Sequence, residues 1–208
     1  QFAPQEIELR NNGELRNFFL SHSKATLEWL EGMGLTFHGP SPEPPNRVAR
    51  MHNVVPAAKA YVLALQKRLL KHDGTILCNA DVDALLEDNG RVVGAHALVQ
   101  GEERAFLAAK GVVLAAGDYA NAPDLIARYK GPEFSEIEGI FVHAHGDGHR
   151  LAERAGARLV NMDVTYGPEL RFVPPERKPL LQRLPAAGFL HRLMGLLMPL
   201  APRPVVHR

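Results

Sequence analysis

The chain has a single cysteine, Cys78, in 208 residues. No disulfide can therefore form within it, and a reducing, cytoplasmic compartment is the expectation. Net charge is nearly absent as well. The 24 Lys and Arg are matched by 23 Asp and Glu, which argues against nucleic acid as the partner. Long apolar runs are missing: the most apolar stretch, Leu193 to Pro202, is too short to span a bilayer. No signal peptide opens the chain, and no internal repeat runs through it. The first residue is Gln1, and Pro204-Val205-Val206-His207-Arg208 ends the chain without a helix or strand signal. Both ends read as cut, so a fragment or isolated domain is expected. A hydrophobic content of 46% is enough for one sizeable core or two modest ones. The near-neutral total hides an asymmetry. Residues 171–208 carry seven basic residues against Glu176, a local +6, which leaves −5 for residues 1–170.

Periodicity predicts a helix over residues 13–33, where Leu15, Phe18, Phe19, Thr26, Trp29 and Leu30 recur near helical spacing. Ser21 and Ser23 are candidate internal breaks or caps. Trp29 is expected in helix-packing core. The prolines of residues 39–46 predict a loop. A second helix should follow Pro56, with Ala57, Tyr61, Leu65, Leu69 and Leu70 as its buried stripe and Asp73-Gly74 as its end. Thr75-Ile76-Leu77-Cys78 reads as a short strand that buries Cys78. Asp88-Asn89-Gly90 is a hairpin signal between strands near Val82–Glu87 and Arg91–Val99. A second turn at Gln100-Gly101-Glu102 leads into Arg104–Ala108. Val112-Val113-Leu114-Ala115-Ala116-Gly117 reads as a buried parallel strand that delivers its end to a ligand. Short helices follow at Asp124–Tyr129 and Gly148–Ala157. In the basic tail, Phe189, Leu190, Leu193, Leu196 and Leu197 could line one helix face. The fold class is mixed α/β, and the meander departs from simple β-α-β alternation.

Residues 143–149, His-Ala-His-Gly-Asp-Gly-His, carry the chemistry. Two readings fit them. In the first, His143, His145, Asp147 and His149 ligate zinc, as in a hydrolase. Metallo-β-lactamase-type enzymes use His-x-His-x-Asp-His, and here Gly148 separates Asp147 from His149, so the pattern fails by one residue. In the second, Gly146-Asp147-Gly148 opens a helix. Glycine allows close backbone approach, and Asp147 suits the positive helix end. The free N–H groups there can then meet a polar cofactor. His52 and Arg50, after the proline loop, could face a substrate or simply be solvated.

Taken in order, Gly74-Thr75-Ile76-Leu77, Val82, Asp88-Asn89-Gly90-Arg91-Val92-Val93-Gly94, Lys110 through Gly117 and Gly146 through Ala157 resemble one family. It is the flavoprotein family of fumarate reductase, succinate dehydrogenase, L-aspartate oxidase and 3-ketosteroid Δ1-dehydrogenase. The resemblance covers about residues 15–165 and rests on the order and spacing of its motifs. It implies a Rossmann-like FAD domain with an inserted β-meander, interrupted by a capping domain. Residues 1–165 would be a partial FAD-binding domain, and residues 166–208 the start of the cap. It also implies that the Val82 backbone meets the adenine, that Ala115, Ala116 and Gly117 pass close to FAD, and that Asp147 lies against it. Two positions depart from the family. Asp118 stands where the family has a second glycine, and His145 stands where it has threonine, which argues against assuming a dicarboxylate substrate. The family's Gly-x-Gly-x-x-Gly turn does not occur before residue 74.

The expected function is therefore FAD-mediated hydride transfer next to a carbonyl or carboxylate, on a small-molecule substrate, by a longer parent protein. This chain alone is expected to bind FAD weakly and to be inactive, and no residue within it is assigned a catalytic role. A non-catalytic assembly domain, oligomerising through an unpaired sheet, is the reading from another class.

Overall fold

The computed structural model describes residues 10–42, 48–139 and 141–164, together with Leu193 and Leu196. These residues fall into two compact units that divide between Thr75 and Ile76. The expected cap start at 166–208 and its apolar helix face lie outside the described residues, apart from Leu193 and Leu196, which are helical and exposed.

In the first unit, α1 spans Gly13–Gly32. Asn12 caps it, its side chain accepting from Leu15 N at 3.0 Å. Ser21 and Ser23 do not break it. Their hydroxyls donate back to the carbonyls of Phe18 and Leu20 within the helix. Gly34, at φ +92°, ends the helix as its N–H bonds Glu31 O. Trp29 is 49% exposed rather than in a core, and no residue of α1 is buried. Strands β1, Thr36–Ser41, and β2, Met51–Val55, pair antiparallel, with an irregularity between His38 and Ser41. The proline loop is thus shorter than expected at its start, because Gly39, Pro40 and Ser41 belong to β1; residues 43–47 lie outside the described residues. Helix α2, Lys59–Lys71, ends through Asp73 at φ +59° and a Gly74 N–H bond to Leu69 O, as the Asp-Gly signal predicts. Its buried stripe is not as expected. Ala60 is the buried residue, while Leu65, Leu69 and Leu70 are exposed. Among the described residues of this unit, Leu35, Val55 and Ala60 are the buried apolar side chains, and Ser41 is buried as well.

In the second unit, β3 (Ala80–Asp88), β4 (Arg91–Val99) and β5 (Glu102–Leu107) form an antiparallel three-stranded meander in the order β3-β4-β5. Both turns follow from their sequences. Asn89 and Gly90 have φ of +50° and +75°, and Gln100 and Gly101 have +53° and +87°. A pair of positive-φ residues matches the right-handed twist of the strands it joins. The β3–β4 register shifts between Val82 and Ala84, so Asp83 bulges. Ala97 and Val99 are the buried side of β4.

Two expected strands are not strands. Residues 75–78 pair with nothing among the described residues, and Cys78 is exposed. Residues 112–117 run without a ladder, and Val113 is 89% exposed. Both were inferred from apolar content. A strand also needs a neighbour to take its backbone hydrogen bonds, and no described segment supplies one. Helix α3, Pro123–Tyr129, a 3₁₀ turn at Pro132–Phe134, and α4, Asp147–Arg154, complete the unit. Ala122, Leu125, Ile126, Ala144, Leu151 and Met162 are buried around them. No helix among the described residues is long and apolar enough to cross a membrane.

Candidate functional site

The site is built where the end of the 112–117 segment meets the start of α4. Gly146 precedes α4 at φ +75°, a conformation that L residues adopt at a cost. Its N–H donates to Asp118 O at 3.2 Å. A Cβ there would lie 2.5 Å from Leu125 Cδ1 and 2.9 Å from Tyr119 Cβ. Two residues on, a Cβ on Gly148 would lie 3.2 Å from Ala116 Cβ. The two glycines thus let the helix start press against the 116–119 segment. Gly117, at φ +81°, turns that segment with nothing within 4 Å of its would-be Cβ. Among the described residues no side-chain bond caps the N-terminus of α4, which leaves its opening N–H groups open to other acceptors.

The departure at Asp118 is accommodated locally. Its Oδ1 accepts from Ala120 N at 2.8 Å, which turns the carboxylate onto its own chain. Asn121 then stitches down the loop that leads into the helix. Its backbone N–H donates to Ala144 O at 2.9 Å and its Nδ2 to Phe141 O at 2.7 Å, while its Oδ1 accepts from Gly139 N at 2.9 Å.

Helix α4 is keyed to its surroundings by three arginines. Arg150 makes a two-pronged ion pair with Asp124 of α3, both contacts at 2.7 Å. Arg128 of α3 returns a second fork to Glu153, at 3.3 and 3.0 Å. Arg154 Nη2 donates to the carbonyl of Asp83, in the β3 bulge, at 2.7 Å. The bond from Arg150 holds the Asp124 carboxyl below its ordinary range, and the same bond raises Arg150. Within the meander, His96 Nδ1 lies 2.6 Å from Asp83 Oδ1. That bond raises the imidazole and lowers the carboxyl. Burial raises the Tyr119 phenol, whose hydroxyl donates to Met162 O.

The structure brings together three of the five expected cofactor residues most directly: Ala116, Gly117 and Asp147 gather around the α4 start, with Ala115 preceding them in the chain. Val82 is 40% exposed, next to the bulge that Arg154 holds. The alternative zinc set does not assemble. His143 and His145 meet edge to face with ring centres 6.5 Å apart, and His145 Nδ1 lies 3.1 Å from Asn121 O. Among the described residues no three His, Cys, Asp or Glu side chains form a group that could hold a metal ion. His149 packs edge-on against Tyr119 at 5.3 Å, and its Nδ1 is buried without a partner. Arg50 and His52 are exposed, with His52 Nδ1 3.0 Å from Arg50 O. The sequence reading noted Asp118 as a departure from the family without its bond to Ala120 N, and missed Asn121 and the two ion-pair forks. Arg150 and Asp124 lie 26 positions apart, and only the fold pairs them.

Known proteins resemble this chain over most of its length. NADH:acrylate oxidoreductase from Vibrio harveyi is 30% identical over 151 residues, covering 68% of this chain and 15% of the relative. Urocanate reductase from Eggerthella lenta is 30% identical over 162 residues, covering 72% of this chain and 26% of the relative. A probable fumarate reductase from Shewanella frigidimarina is 26% identical, covering 74% and 27%. The chain therefore spans about a quarter or less of these relatives. Among solved structures, the open conformation of a flavocytochrome c3 fumarate reductase superposes with a TM-score of 0.62 at 26% identity, covering 69% of this chain and 26% of that one. A 3-ketosteroid-delta4-(5alpha)-dehydrogenase from Rhodococcus jostii shares the fold, with a TM-score of 0.59 at 24% identity, covering 70% and 37%. The model of the FAD binding domain matches residues 3–188, and the chain belongs to that family, with FAD as its cofactor.

Proposed function

We propose that this chain is the adenine-side part of the FAD site of a flavin-dependent oxidoreductase, with Val82, Ala115, Ala116, Gly117 and Asp147 facing the cofactor. One observation carries the reading: Gly148 packs onto Ala116 beside the positive-φ turn at Gly117. Such glycines are used where backbone must approach a ligand without side chains between. The residues present fit FAD. A helix start without a side-chain cap among the described residues offers N–H donors to a polar group, and the carboxylate of the exposed Asp147 can accept from a hydroxyl of the cofactor.

Residues 1–165 are read as a partial FAD-binding domain with the meander inserted, and residues 166–208 as the start of a cap. When bound, FAD exchanges hydride with a carbon beside a carbonyl or carboxylate. The relatives named for acrylate, fumarate and urocanate favour an unsaturated carboxylate as the substrate class. This chain's part is to hold the cofactor, and no residue in it is assigned the proton transfer. The chain is equilibrated with excess FAD, freed of unbound cofactor by rapid filtration, and its absorbance measured. Bound flavin bands of weak affinity are expected. A colourless protein whose addition leaves FAD fluorescence unchanged would overturn the reading.

A further inference from the structure

Arg150 stands out because it joins two features of the site. It is three residues beyond Asp147 on α4, so the two side chains are neighbours on one helix face. Its guanidinium is held in place from the other side by both oxygens of Asp124, at 2.7 Å each. A planar fork of this kind fixes direction as well as distance. Helix α4 cannot roll about its axis without breaking this fork, the second fork from Arg128 to Glu153, and the Arg154 bond to Asp83 O. Asp147, in turn, places a carboxylate at a helix start that the proposed function assigns to an anionic cofactor. That carboxylate raises the local negative potential unless a cation stands beside it.

We infer that Arg150 is a positioning residue for FAD: oriented by Asp124, it offsets the charge of Asp147 beside the cofactor. This inference rests on the placement of FAD at Asp147. It differs from a purely structural role in one measurable way, since the effect of Arg150 on FAD must pass through Asp147.

The test is a double-substitution cycle on the 208-residue chain, read by FAD fluorescence quenching, with melting temperature measured in parallel. Asp124 and Arg150 are both partly exposed, so the variants Asp124→Asn and Arg150→Gln should fold. Each is expected to weaken FAD about fivefold, the factor that corresponds to about 1 kcal/mol. Arg150→Lys keeps the charge but cannot form the two-pronged contact with Asp124, so it should weaken FAD about as much as Asp124→Asn. In an Asp147→Asn background, Arg150→Gln should change FAD affinity by less than about twofold. If the wild-type chain binds FAD and the two substitutions are additive, the inference fails while the proposed function stands. If the wild-type chain does not bind FAD, both fall.

Discussion

The close approach at Gly146 gives the sharpest test of the site. Gly146→Ala adds a Cβ that would meet Leu125 Cδ1 at 2.5 Å and Tyr119 Cβ at 2.9 Å. The Leu125 methyl is at the end of a flexible side chain, but Leu125 is only 3% exposed and has little room to turn. Tyr119 Cβ is one bond from the backbone and moves only if residue 119 moves. Overpacking of this kind costs about 1–3 kcal/mol. The φ of +75° adds about 1–2 kcal/mol for an L residue. Together these predict a destabilisation of roughly 2–4 kcal/mol, since either adjustment partly relieves the other. Urea denaturation of the variant and the parent, followed by far-UV circular dichroism, measures it. Two controls separate the terms. Gly117→Ala meets nothing within 4 Å at φ +81° and should show only the conformational cost. Gly148→Ala meets Ala116 Cβ at 3.2 Å inside a helix, where alanine is otherwise favoured by about 1 kcal/mol. It should leave stability nearly unchanged while pushing on the segment proposed to face FAD. A Gly146→Ala loss no larger than that of Gly117→Ala would refute the argument from close approach.

Asn121→Ala removes the bonds to Phe141 O and from Gly139 N. At about 0.5–1.5 kcal/mol per bond, a loss of roughly 1–3 kcal/mol is expected, together with faster amide exchange at Gly139. The Asp83–His96 pair predicts a stability maximum in mildly acidic solution. His96 is raised above its ordinary 6.5 by the bond to Asp83, so its contribution is full below that value and is lost as pH rises through the raised one. Asp83 is lowered from 3.8, so its contribution is present above that value and is lost as pH falls through the depressed one. Melting temperatures from pH 3 to 9 should show both limbs, and Asp83→Asn should flatten them; an unchanged profile in that variant would sink the assignment. Asp118→Gly removes the carboxylate that accepts from Ala120 N. It should lower stability by about 1 kcal/mol without weakening FAD binding, as fluorescence titration can check.

The elements legible in the sequence are those whose cause is local. Asn89-Gly90 and Gln100-Gly101 set the meander because positive φ at two successive residues is a property of those residues. Helix α1 is legible from its spacing even though it buries none of its residues. In that case periodicity reported an amphipathic pattern without reporting what covers it. The β1–β2 pair was hidden because Gly39 and Pro40 fall inside a strand, and its pairing with Met51–Val55 depends on a segment ten residues away. Residues 112–117 failed as a strand for a related reason. Apolar content says that a segment can be buried in a sheet, and only a neighbouring segment makes it one.

The same division runs through the site. Gly146, Gly148 and Gly117 could be read from the chain because a glycine marks close approach or unusual φ by what it lacks. The charges could not be read this way. Asp147 and Arg150 are adjacent on one helix face in any helix, yet their balance at the site depends on Asp124, which α3 brings to Arg150 from 26 positions upstream. Without that fork, Arg150 would be a long, mobile cation with many orientations open to it, and its screening of Asp147 would be an average over them. With it, one orientation is selected and Asp147 keeps a fixed counter-charge. The spacing of glycines therefore marks the edge proposed for the cofactor, but the electrostatics of that edge is a tertiary property, set by the ion pairs between α3 and α4.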